Sequence, residues 1–87
     1  MVSQTTKIVN EMGFHMRPAN IFVTAMNEYN SDIDLIVNGS RINGKSIMSI
    51  MASGIKCGTK ITVECNGNDE KEMLKKALEL IDSGFGE

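Results

Sequence analysis

The sequence predicts an α+β fold in which helices cover one face of a four-stranded antiparallel sheet. Three observations carry this. Periods of two and of 3.6 residues follow one another along the chain in the order β-α-β-β-α-β-α. Asn38-Gly39 joins the second and third strands, and this dipeptide is a strong two-residue hairpin signal. The order is mixed rather than a regular β-α alternation, which favours helices gathered on one side of an antiparallel sheet.

Residues 3–9, SQTTKIV, form a weak β-prone run. From residue 16 to about 28 the period changes. Ala19, Phe22, Val23 and Met26 fall on one helix face, and Pro18 fits the first turn, where its missing N–H is tolerated. DIDLIV (32–37) alternates, with Ile33, Leu35 and Val37 on one side, and SRIN (40–43) returns after the hairpin. Ser46 reads as an N-cap, IMSIMAS (47–53) as a short helix, and Gly54 as its left-handed C-cap. KITVEC (60–65) alternates, with Ile61, Val63 and Cys65 inward. Asp69 followed by Glu72 reads as a capping box for a last helix striped by Met73, Ala77, Leu80 and Ile81 and ended by Gly84.

At 87 residues the chain is expected to be one domain, 1–87, large enough for a single modest core. Nine basic and eleven acidic residues give a net charge of −2, which offers no support for a general nucleic-acid binder. No apolar run approaches the ~18 residues needed to span a bilayer. The stretch MVSQTTKIVNEMG lacks a basic segment followed by an apolar run, so no signal peptide is expected. Cys57 and Cys65 match no metal or redox spacing and read as reduced thiols of a cytoplasmic protein. With one histidine and distant thiols, neither a metal site nor a cofactor is expected.

That histidine, His15, stands in GFHMRPAN where the first helix begins. The first N–H groups of a helix lack internal partners and carry the positive end of its dipole, so a helix mouth accepts anions, phosphate above all. Arg17 adds a planar cationic fork suited to phosphate oxygens. A neutral imidazole nitrogen can accept a phosphoryl group, and Nδ1, the nearer to the backbone, is the one a helix mouth serves best. On spacing alone, however, a histidine here is more often a surface or capping residue.

GSRINGKS (39–46) satisfies the P-loop pattern G-x-x-x-x-G-K-[ST]. The pattern is rejected on three grounds. Its first glycine belongs to the Asn-Gly hairpin, SRIN reads as strand, and no later apolar strand ends in an aspartate that would hold Mg²⁺. The same stretch supports another role. A phosphate on Ser46 would agree with the dipole of the helix behind it. That helix is too short to bury Ile47, Met48, Ile50 and Met51 together, so Ile47 and Met48 are candidates for an apolar docking patch.

GFHMRPA, followed about thirty residues later by NGKSIMSIMASG, resembles the HPr family, the histidine-containing phosphocarriers of the bacterial phosphoenolpyruvate:sugar phosphotransferase system. The resemblance covers essentially the whole chain. It implies an open-faced β-sandwich, phosphorylation of His15 on Nδ1 by Enzyme I, and transfer to the A component of a sugar permease. Arg17 matches the family's active-site arginine and Pro18 its first-turn proline. Ser46 matches the regulatory serine of the Gram-positive branch, which implies an HPr kinase/phosphorylase and a catabolite-control transcription factor as partners. A monomer is expected. The chain departs from the usual pattern at Met16, Asn20 and Gly44, and Gly44 is expected to loosen the turn before Ser46. The alternative within the family, a regulatory paralogue acting through protein binding, lacks the histidine that this chain carries.

Overall fold

The computed structural model describes residues 1–86. Its elements are β1 (Val2–Lys7), α1 (Met16–Met26), β2 (Asp32–Val37), β3 (Ser40–Asn43), α2 (Ile47–Ser53), β4 (Lys60–Asn66) and α3 (Glu70–Asp82), followed by a short helical turn over Gly84–Gly86. The strands form one antiparallel sheet in the order β1-β4-β2-β3. The three helices cover one face, as the sequence predicts.

Register follows from the apolar alternation, because a one-residue slip would turn every inward side chain to solvent. Leu35 lies opposite Val63 and Ile33 opposite Cys65. All four are buried beneath Phe22, Met26, Ile50, Met73, Ala77 and Ile81 from the helices. The hairpin is closed by Asn38 and Gly39, both at positive φ (50° and 82°), the conformation that selects Asn-Gly for this turn. On the open face the same register sets Asp34 directly opposite Glu64. Like charges so placed repel, and Arg41 of β3 offsets this by donating to both, at 3.1 Å to Asp34 and 3.0 Å to Glu64.

Several boundaries differ from the sequence pattern. β1 ends at Lys7, not residue 9: Ile8 turns inward, paired through its backbone with Thr59 and Gly58, while Val9 is exposed. α1 stops at Met26 because Asn27 follows as its C-cap, donating from its side chain to the Val23 carbonyl at 2.9 Å. In α2, Ile50 is fully buried and Ile47 half-buried, leaving Met48 and Met51 outside. Gly44 does not loosen its turn. Its N–H donates to the Ile33 carbonyl at 2.9 Å, and a Cβ there would sit 2.8 Å from Ile33 Cγ2.

The Asp69–Glu72 capping box does not form. Asp69 is the N-cap residue of α3, but its carboxylate makes no capping bond to that helix. It instead accepts from the backbone N–H groups of Asn30 and Ser31, both at 2.9 Å, and from the Ser31 hydroxyl. The 30–31 turn approaches so closely that a Cβ on Gly67 (φ 151°) would overlap Ser31. Tertiary partners have taken the carboxylate from its own helix.

These donors, the Ser31 hydroxyl first and then the Asn30 amide, hold the Asp69 carboxyl below its ordinary pKa. A depressed folded-state pKa means stability that is fully present above the unfolded pKa, about 3.9 for Asp, and lost as pH falls through the lower folded value. Asp69→Asn is therefore expected to lower Tm at pH 7 and to narrow the difference between melting curves at pH 7 and pH 3. Circular-dichroism melts of both proteins check this.

Candidate functional site

The chain reaches α1 through residues 8–15, and this loop is fixed by backbone contacts. Gly13 has φ 68°, and a Cβ there would lie 2.6 Å from the Ile55 carbonyl oxygen and 2.8 Å from the Lys56 Cα. Position 13 therefore requires glycine both for its torsion and for its space. The next N–H, of Phe14, donates to that same Ile55 oxygen at 3.1 Å. Phe14 is buried in an aromatic trio, with ring centroids 5.5 Å from Phe22 and 5.0 Å from Phe85. A large apolar side chain immediately before a helix cap fixes the angle at which the chain enters the helix.

His15 follows as the N-cap of α1, extended at φ −89° and ψ −173°. Its carbonyl accepts the first helical bond, from Ala19 at 3.0 Å, while its side chain makes no capping bond. With Pro18 at the third helical position, the first turn offers the N–H groups of Met16 and Arg17 at its mouth. No acidic residue lies in that turn. Arg17 is exposed and forms no salt bridge among the described residues. The structure thus places both sequence-predicted residues at the positive end of one helix, His15 as the N-cap and Arg17 in the first turn.

Ser46 is the N-cap of α2, and its hydroxyl accepts from the Ser49 N–H at 3.2 Å. Lys45 does not face a phosphate loop: its Nζ donates to the Tyr29 carbonyl at 2.8 Å. This and the strand geometry of 40–43 agree with rejection of the P-loop pattern. α1 and α2 pack against each other, and the loop before His15 is bonded to Ile55, just past Gly54, the C-cap of α2. His15 therefore lies toward the C-terminal end of α2 and Ser46 at its N-terminal end, separated by a helix roughly 10 Å long. The expected docking pair is divided. Met48 is 80% exposed, whereas Ile47 is partly buried against the core. Met12, Met16 and Met51 are also exposed.

Cys65 is buried, and that burial together with nearby Glu70 and Asp69 pushes its thiol up to about 11, so it is unreactive. Cys57 is exposed. Among the described residues, no helix is long and apolar enough to cross a membrane. Pattern reading passed over Asn10, Phe14 and Phe85, which anchor the loop. Phe14 could have been found from its place just before the cap. Asn10 and Phe85 carry no local signal.

Residues 2–83 match the family described as the PTS HPr component phosphorylation site. Phosphocarrier protein HPr of Neisseria meningitidis serogroup A is 38% identical over 87 residues, covering 100% of this chain and 98% of that protein. The HPr-like protein Crh of Bacillus subtilis is 38% identical over 76 residues, 87% of this chain and 89% of Crh. A crystal structure of Crh, described as a swapped dimer, has a TM-score of 0.78 at 34% identity, with 97% of each chain covered. The crystal structure of HPr-C-His from Thermoanaerobacter tengcongensis superposes with a TM-score of 0.96 at 38% identity, covering 100% of this chain and 98% of that one. HPr proteins carry phosphoryl groups and are not catalysts in their own right. The chain belongs to the HPr family of phosphocarrier proteins of the phosphotransferase system.

Proposed function

We propose that this chain accepts a phosphoryl group on Nδ1 of His15 from Enzyme I and delivers it to the A component of sugar permeases. In this reading it acts in the cytoplasm, as a monomer. One observation carries it: His15 is the N-cap of α1 and makes no side-chain capping bond, and Arg17 stands in the first turn of the same helix. The Nδ1 lone pair forms the new P–N bond, and the pair that held the phosphoryl group leaves with the donor. The ring proton stays on Nε2. The first-turn amides and Arg17 bind the phosphoryl oxygens, and positioning with charge stabilisation is most of what such a transfer requires. The mouth is modest, because Pro18 removes one donor. A carrier that must release its cargo is well served by a site that does not hold it too tightly.

Ser46 is the regulatory position in this reading, modified by an HPr kinase/phosphorylase, with the phosphoserine form recognised by a catabolite-control transcription factor. Met48, with the exposed part of Ile47, contributes to the docking face. The match with the HPr-like protein Crh supports a second reading, a regulatory paralogue acting mainly through protein binding rather than in sugar uptake; the presence of His15 favours the carrier.

Incubation with Enzyme I and phosphoenolpyruvate is expected to add one acid-labile phosphate, detected by mass spectrometry, and His15→Ala is expected to abolish it in a folded protein. Retained acceptance by the folded variant would falsify the assignment. Arg17→Ala is expected to slow transfer roughly ten- to hundredfold, the effect of losing a charge-assisted contact worth ~1.5–3 kcal/mol in the transition state. Arg17→Lys recovers part of it, since an ammonium lacks the planar fork; single-turnover rates of the three proteins decide. Ser46→Asp is expected to lower the initial rate of His15 phosphorylation by Enzyme I with Tm nearly unchanged. Equal rates in this variant and in protein phosphorylated on Ser46 would remove the shared docking face.

A further inference from the structure

We propose that Asn10 is a positioning residue for phosphoryl transfer at His15, holding the peptide that delivers the imidazole to the mouth of α1. This rests on the reading of His15 as phosphoacceptor and assigns to that reaction a residue five positions upstream.

Asn10 is only 5% exposed, a polar side chain carried into the interior of a loop. A buried amide is costly unless it is bonded, and its Nδ2 donates to the Gly13 carbonyl at 2.6 Å. The backbone N–H of Gly13 donates in turn to the Asn10 carbonyl at 3.0 Å, closing a four-residue turn that leaves Glu11 and Met12 in solvent. The Gly13 carbonyl also accepts from the His15 N–H at 3.1 Å. That last bond spans only two residues, a tight geometry that is weak alone. The oxygen is thus shared between His15 and Asn10, and Asn10 fixes the direction in which it points.

Geometry makes this a matter of aim as well as stability. The peptide after Gly13 and the one after Phe14 are the last two rigid units before the His15 Cα. Phe14 N–H is fixed to Ile55, and the other face of the Gly13 peptide is fixed by Asn10. Asn10 is itself backed by the C-terminal turn, where a Cβ on Gly84 would lie 3.5 Å from the Asn10 Cβ. Without the Asn10 bond the Gly13–Phe14 peptide is held only along its Phe14 N–H edge and can tilt about that bond, and His15 shifts with it relative to the Met16 and Arg17 amides. Transfer depends steeply on such alignment. Nothing in this changes where Enzyme I docks.

The test compares wild type, Asn10→Ala and Asn10→Asp as substrates of Enzyme I with phosphoenolpyruvate, at a temperature where circular dichroism shows each protein folded. Asp keeps the shape of Asn but turns a carboxylate oxygen toward the Gly13 carbonyl in place of a donor. The expected result is a fall in kcat of roughly three- to tenfold for Asn10→Ala and a larger fall for Asn10→Asp, with KM within about twofold of wild type. A residue that only stabilises the fold would lower Tm and leave kcat of the folded molecules unchanged; that outcome overturns the proposal. So does a change confined to KM, and so does loss of the fold in Asn10→Ala, which would make Asn10 a purely structural residue. If wild type itself accepts no phosphoryl group, the phosphoacceptor reading fails first, and the wild-type arm shows this separately.

Discussion

Between its first strand and first helix the chain passes so close to residues 55–56 that no side chain fits at position 13. This seam joins the start of α1 to the segment that leaves α2, two regions some forty residues apart in sequence. It sets the depth at which Phe14 enters the aromatic trio, and the trio sets the angle of α1. His15 then becomes an N-cap because the chain has no other place to begin the helix. His15, partly buried, and the exposed Arg17 follow directly from that anchor. They are carried by a backbone contact that tolerates only glycine and by an apolar anchor one residue away.

The three helix N-termini are satisfied in three different ways, and the contrast isolates α1. α2 is capped by the Ser46 hydroxyl. α3 carries Glu70 and Glu72 in its first turn, and Glu70 also accepts from the Gly67 N–H, so acidic side chains already meet its dipole. α1 has no side-chain cap and no acidic residue in its first turn. Among the described residues, α1 is the one helix of more than two turns with neither a side-chain cap nor an acidic first turn, and its N-cap is the histidine.

The parts of this structure written in local periodicity were legible in the sequence. The inward faces of β2 and β4 are read from alternation, the buried stripe of α1 from 3.6-residue spacing, and the hairpin from Asn38-Gly39. That helices begin at His15 and Ser46 was legible because helix starts have a chemistry visible in a few residues. What was missed depends on neighbours distant in sequence. Asp69 reads as a cap, but the Asn30 and Ser31 amides and the Ser31 hydroxyl compete for the same carboxylate and win, offering three donors where the helix offers one or two. Ile47 and Met48 are adjacent and both apolar, and only the direction of α2 over the sheet decides that the first is half-buried and the second exposed. Asn10 reads as a polar loop residue until the seam folds it inward. Gly44 reads as slack until Ile33 is placed against it.

Magnitudes decide how a phosphate on Ser46 would influence His15. α2, with Ser46 at its start and the seam before His15 just past its end, is roughly 10 Å long, and that length sets the scale of the separation. At that separation in water a dianion and a unit charge interact by about 0.8 kcal/mol before screening. A Debye length of about 8 Å at physiological ionic strength reduces this to a few tenths of a kcal/mol. That is less than a twofold effect on a rate, too small for a switch. The same dianion pressed beneath a partner loses much of its hydration, and an uncompensated buried charge costs several kcal/mol. The exposed thioether of Met48 neighbours Ser46 and offers such a partner apolar contact but no cation to pair with the phosphate. Under the proposed reading, an effect of a phosphate at Ser46 on His15 would therefore run through a surface that both sites present to one partner, and not through a field acting across the protein.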